Sequence, residues 1–247
     1  MSSLLRMSFI LHVASCQVRV KESVYTWLDS TATLDCRADT EEEVKQVTWE
    51  VQMHGTSVTF LTYRNDTGSI YQMPYGQRAK FKGDGNKDGS IQILNITLDD
   101  EGIFKCVFTT FPSGTIEGRI HLQVMVLPTV KQELTQDVRS ACVNKVAECS
   151  ASSAKPAVEI QWITYGINYT STEETETHSN GTTSKRSQLK VMSTPELYGQ
   201  DVCCLVYQPN IPFEYQRNIT ANNTLTNIQC RCELTSMNFL VVSEELL

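Results

Sequence analysis

Cys36, Trp49 and Cys106 recur as Cys149, Trp162 and Cys204, with thirteen positions from the first cysteine to the tryptophan in both halves. Large residues that rarely stay exposed, repeated at fixed spacing, imply two consecutive units built on one plan. The closing cysteine arrives 70 positions after the first in the front half and 55 after it in the rear half, so the front unit has room for extra strands. At 247 residues, each unit is of ordinary size and able to bury its own core.

Nine cysteines and six N-x-S/T acceptors (Asn65, Asn95, Asn168, Asn180, Asn218 and Asn222) fit an oxidising, extracellular setting. In a sandwich of the immunoglobulin type, one cysteine pair bridges the two sheets and the tryptophan packs on the bridge. The spacing therefore predicts an all-β chain of two tandem immunoglobulin-like β-sandwiches, variable-type then constant-type, with bridges Cys36 to Cys106 and Cys149 to Cys204. Each bridge closes a loop of several tens of residues and stabilises its unit by about 4 kcal/mol. The tyrosine expected two residues before the second cysteine is Phe104 in the first unit and Val202 in the second. Both corners thus lack a side-chain hydrogen bond of about 1 kcal/mol.

Residues 1–16 read as a secretory signal, with Arg6 as the positive flank, Met7 to Ala14 as the apolar run and Ala14-Ser15-Cys16 as the cleavage site. Cleavage there leaves eight cysteines, an even number suited to a disulfide framework. No other stretch reaches the roughly 18 apolar residues of a spanning helix, so the chain as given reads as secreted. Residues 17–126 form the variable-type domain, with Ala32, Leu34 and Cys36 alternating in strand B and Val47, Trp49 and Val51 in strand C. Ile120, Leu122, Val124 and Val126 alternate in strand G, and Pro128 then ends the ladder. Residues 130–221 form the constant-type domain, within which the Thr-, Ser- and Glu-rich stretch 168–188 reads as a solvated edge and loop. Residues 222–247 show no sustained period and are expected to be poorly ordered. Cys203 and Cys204 are neighbours on one strand and face opposite ways, so Cys204 takes the inter-sheet bridge and Cys203 turns outward, with Cys142 as its expected partner. Cys230 and Cys232 read as a tail disulfide or free thiols, since zinc needs more ligands at suitable spacing.

A net charge of −7 with no Lys/Arg run argues against a nucleic-acid partner. The four histidines (His12, His54, His121, His178) stand beside no nucleophile motif, so neither an enzyme, a small-molecule substrate nor a cofactor is expected. Asp84 to Ile91 fits the first eight positions of an EF-hand loop, but its twelfth position is Asn95 and its flanks read as strands; turn chemistry explains it and no metal is expected. Thr110-Phe111-Pro112-Ser113-Gly114 is different in kind. It places a large apolar ring at the tip between strands F and G, to be taken out of water either by a partner's cavity or by folding back onto its own domain.

That pentapeptide resembles the T-[FY]-P-x-G pattern of the nectin and poliovirus-receptor family. Val44-Lys45-Gln46 is similar to the family's V-[ST]-Q pattern before strand C, and Leu61 to Gly68 to its A-x6-G pattern around C′ and C″, with Leu for Ala. The resemblance implies cell adhesion or immune-cell regulation, through face-to-face pairing with another immunoglobulin-type receptor or a second copy of the chain. It implies Phe111 as the inserted ring, with Thr110, Pro112 and Gly114 shaping its turn. Leu61 and Gly68 would frame the receiving cavity, with Gln46 at the interface, and family members are single-pass membrane proteins. Tyr165 to Thr170 and Asn180 to Ser184 resemble the second domain of the OX-two membrane glycoprotein family, which implies an inhibitory leukocyte ligand instead. A soluble decoy receptor is the third reading.

Overall fold

The computed structural model describes residues 17–53, 55–134, 143–164, 166, 168–192, 202–212 and 227–230. The chain divides into two compact units between Val124 and Met125. Among the described residues the only helical elements are two 3-10 turns, Gly76–Arg78 and Leu98–Asp100, and no helix is long and apolar enough to cross a membrane.

The first unit contains β1 (Gln17–Val20), β2 (Ser23–Trp27), β3 (Ala32–Leu34), β4 (Cys36–Asp39), β5 (Glu43–Met53), β6 (Thr56–Arg64), β7 (Gly68–Tyr71), β8 (Ala79–Phe81), β9 (Ile91–Ile93), β10 (Gly102–Phe111) and β11 (Gly114–Met125). One sheet runs β2-β11-β10-β5-β6-β7, a second β3-β9-β8, and β1 pairs with β4. Strands β5, β6, β7, β10 and β11 take the places of C, C′, C″, F and G. On β10 the inward parity belongs to Phe104, Cys106, Phe108 and Thr110, all buried, because successive side chains on a strand face opposite ways. Cys106 bonds Cys36 with a Cα separation of 6.6 Å. Trp49 is fully buried and donates its indole N–H to the Gly89 carbonyl at 2.8 Å, which satisfies the one polar atom it brings inside.

Phe104, standing where a corner tyrosine would, fills the corner by packing instead. Its ring centroid lies 6.0 Å from Phe60 and 5.6 Å from Tyr75. Beside this cluster the Asp100 carboxylate, 3% exposed, accepts two 2.8 Å hydrogen bonds from the Arg78 guanidinium and one at 2.8 Å from the Thr97 N–H. Burial pushes Asp100 up, but Arg78 and Thr97 outweigh it and hold the carboxyl below its ordinary range. Burial, reinforced by the Asp100 charge, pushes the Tyr75 phenol the other way.

The second unit contains β12 (Thr129–Leu134), β13 (Val143–Ala154), β14 (Glu159–Thr164), β15 (Tyr169–Thr177), β16 (Thr183–Met192), β17 (Val202–Tyr207) and β18 (Asn227–Cys230). Its sheets run β12-β13-β16-β15 and β14-β17-β18. The Cys149–Cys204 disulfide joins them with a Cα separation of 6.3 Å, and Trp162 donates its indole N–H to the buried Ser187 hydroxyl at 2.9 Å.

The structure bears on three expectations here. The stretch 168–188 is edge without much loop: β15 is an edge strand, exposed at all nine positions, whereas β16 is an inner strand that buries Ser187, Leu189 and Val191. With both faces in water β15 shows no alternation, and its register with β16 is what defines it as a strand. Within 222–247, Asn227–Cys230 pairs with β17 as β18, four residues being too few for a period to be read, and 222–226 and 231–247 lie outside the described residues. Cys203, on the face of β17 opposite Cys204, is 2% exposed and is itself disulfide-bonded, while its expected partner Cys142 lies outside the described residues.

Candidate protein-binding surface

The antiparallel register of β10 and β11 brings Thr110 opposite Gly114 and leaves Phe111-Pro112-Ser113 as the hairpin tip. The parity that buries Thr110 turns Phe111 outward, where its ring is 66% exposed. Two contacts fix the turn. The Thr110 hydroxyl donates to the Gly114 carbonyl at 2.9 Å, with Gly114 at φ +96°, a conformation that costs other residues strain. From the loop before β5, Glu42 accepts hydrogen bonds from the Ser113 hydroxyl at 2.5 Å and the Ser113 N–H at 3.2 Å. The Ser113 hydroxyl, with Thr110 as the second contributor, holds the Glu42 carboxyl below its ordinary range. An exposed aromatic carried on a turn clamped at both flanks has little ordering entropy left to lose on binding.

Beside the tip, the outward face crosses strands in a row. Gln46 on β5 pairs with Thr109 of β10, and Arg64 of β6 pairs with Gly68 of β7. Arg64 Nε donates to Gln46 Oε1 at 2.7 Å, and Gln46 Nε2 donates to Thr48 Oγ1 at 2.8 Å, so the row is held by side chains as well as by ladders. Gly68 has φ +73° and open space where a Cβ would stand; it is glycine because the β6–β7 turn needs that conformation. Further along, Lys105 lies 2.7 Å from Glu50 and 3.6 Å from Glu117. The Glu50 hydrogen bond raises the lysine, and the same bond lowers Glu50. The face is thus charge-paired in its middle and apolar at the tip, with Ile70 (49% exposed) and Met73 (77%) at the β7 edge.

Of the expected contact residues, the structure brings Gln46, Gly68, Thr110, Phe111, Pro112 and Gly114 to one end of this sheet. Leu61 is a correction: it is fully buried in the core opposite Trp49 and frames no cavity. The register slips between Trp49 and Glu50, and this irregularity buries Phe60 and Leu61 together. Glu42 and Arg64 are contributors that sequence reasoning missed. Nothing near Glu42 in the chain signals a partner 71 residues away.

The Asp84 loop spends its carboxylate on its own backbone. Oδ1 accepts from the N–H groups of Asn86, Lys87 and Asp88 at 2.8, 3.1 and 3.0 Å, the Asx-type turn that Asp and Gly favour between strands. Among the described residues no group of three or more His, Cys, Asp or Glu side chains could hold a metal ion. Asn65, Asn95, Asn168 and Asn180 are all exposed; Asn218 and Asn222 lie outside the described residues.

The Immunoglobulin V-set domain model matches residues 19–125, and the CD80-like C2-set immunoglobulin domain model matches residues 126–212. OX-2 membrane glycoprotein of Rattus norvegicus is 33% identical over 192 residues, which cover 78% of this chain and 67% of that protein. The chain belongs to the immunoglobulin superfamily of cell-surface proteins. Another superfamily relative, Nectin 1b of Danio rerio, is 27% identical over 209 residues, covering 80% of this chain but 37% of that protein. Among solved structures, the extracellular portion of mouse CD200RLa superposes with a TM-score of 0.62 at 26% identity, covering 76% of this chain and 94% of that one. Superfamily members of these kinds are non-enzymatic recognition proteins of immune or adhesion type, and the OX-2 relative is a membrane glycoprotein.

Proposed function

We propose that this superfamily member is a glycosylated ligand that engages another immunoglobulin-type receptor through its variable-type unit, with Phe111 as the inserted ring. The observation that carries the reading is that ring, two-thirds exposed on a turn clamped by Thr110 and Glu42. Leaving it in water has no structural benefit, since the core beneath it is complete without it. Gln46, Arg64 and Gly68 flank it on the same sheet end and supply a polar rim. The second unit carries sugar at Asn168 and Asn180. Residues 1–16 direct the chain into the secretory route.

Within that reading, an OX-2-type ligand of a different receptor is favoured over nectin-type self-pairing. Self-pairing by ring and cavity needs the chain to carry both halves, and the Leu61 position is closed in the core. Sedimentation of the purified glycoprotein, alone and mixed with immunoglobulin-type receptor ectodomains, tests this. A monomer that forms a one-to-one complex with one such receptor supports the proposal; a chain that binds none of them overturns it, and a stable dimer returns the choice to self-pairing.

A further inference from the structure

Cys203 is disulfide-bonded, yet β17 has already committed its neighbour Cys204 to the inter-sheet bridge. Its partner must therefore be reached from the opposite face of the same sheet. The β17–β18 register pairs Cys203 directly with Cys230. Residues directly opposite in an antiparallel pair have Cα atoms about 4.5 to 5.5 Å apart and side chains on one face. That separation falls inside the roughly 4.4 to 6.8 Å that disulfides span.

We infer that Cys203 and Cys230 form a cross-strand disulfide that welds β18 to β17, alongside the inter-sheet bridge. Its formation removes two protons and two electrons from the thiols, the electrons passing to a protein disulfide of the secretory pathway that is reduced to two thiols.

Peptide mapping of the full glycoprotein decides the matter. After alkylation of free thiols, removal of N-glycans and non-reducing digestion with trypsin, Cys203 and Cys204 share the peptide 191–217, Cys149 lies in 146–185, Cys230 in 218–231 and Cys142 in 140–145. The expected product is a three-peptide cluster of 146–185, 191–217 and 218–231. A cluster holding 140–145 in place of 218–231, or an alkylated Cys230 in the parent protein, overturns the assignment. The Cys142→Ser variant keeps the cluster intact, and alkylation of Cys203 in that variant would equally refute it.

Discussion

Replacing Phe111 by alanine removes the ring on which the binding proposal rests. A phenylalanine side chain offers about 200 Å² of burial, and 66% exposure leaves about 130 Å² for a partner to cover. At about 25 cal/mol per Å² this amounts to about 3 kcal/mol, a loss of affinity on the order of 100-fold. The part already covered, about 70 Å², accounts for no more than about 2 kcal/mol of stability, and the Thr110 and Glu42 contacts do not involve the ring. Surface plasmon resonance against the captured receptor, with thermal melting of the same samples, separates the two effects. The expected result is a faster dissociation rate with the fold retained. Affinity within threefold of the parent would show that the ring is not the contact, and the assignment of this turn would fall.

Four further outcomes follow from the same geometry. Asp100→Ala leaves Arg78 and the Thr97 N–H without their acceptor at a buried site, a loss of about 3 kcal/mol or more. In calorimetry of the full chain, the transition of the first unit should fall by about 12 °C or more while the other stays in place. Because Asp100 is held below its ordinary range when folded, its contribution is fully present above about pH 4 and is lost as acid protonates the folded carboxyl. Melting temperature should thus be nearly flat from pH 7 to about 5 and drop below about 4. Glu42, also depressed, has the same sign: hydrogen exchange at the Ser113 N–H, corrected for intrinsic rate, should accelerate in Glu42→Gln and in the parent at low pH. Leu61→Ala should cost about 2 to 5 kcal/mol of stability by opening a core cavity, with receptor affinity per folded molecule unchanged in titration calorimetry.

What the chain discloses before folding is what local chemistry enforces. Cys36, Trp49 and Cys106 are legible because a bridge and its ring tolerate little change in spacing, and the parity of β10 and β11 is legible because every second residue must be apolar. Phe111 is legible because an apolar ring beside proline at a turn has no local reason to be there. Leu61 misleads, since the register slip in the β5–β6 ladder is a property of two strands and leaves no mark on either alone. Glu42 is silent for the same reason: its partner arrives only when distant loops converge. Strand β15 is misread because pairing along one edge, and not burial, defines it. Cys203 shows the reach of parity and its limit, for alternation assigns Cys204 to the bridge but says nothing of what covers the opposite face.

Strand β15 also bears on how many copies of this protein can crowd together. Among the described residues it is a nine-residue outer rail with no strand paired on its far side, a template for another chain, and such rails invite endless stacking. Glu173, Glu174 and Glu176 stand along it; Lys185 lies 3.0 Å from Glu173, and the His178 ring lies 3.9 Å from Glu176. Two molecules approaching rail to rail would bring like charges together before a single ladder bond could form. The negative stripe therefore acts as a fender, disfavouring ladder formation between the β15 edges of two copies.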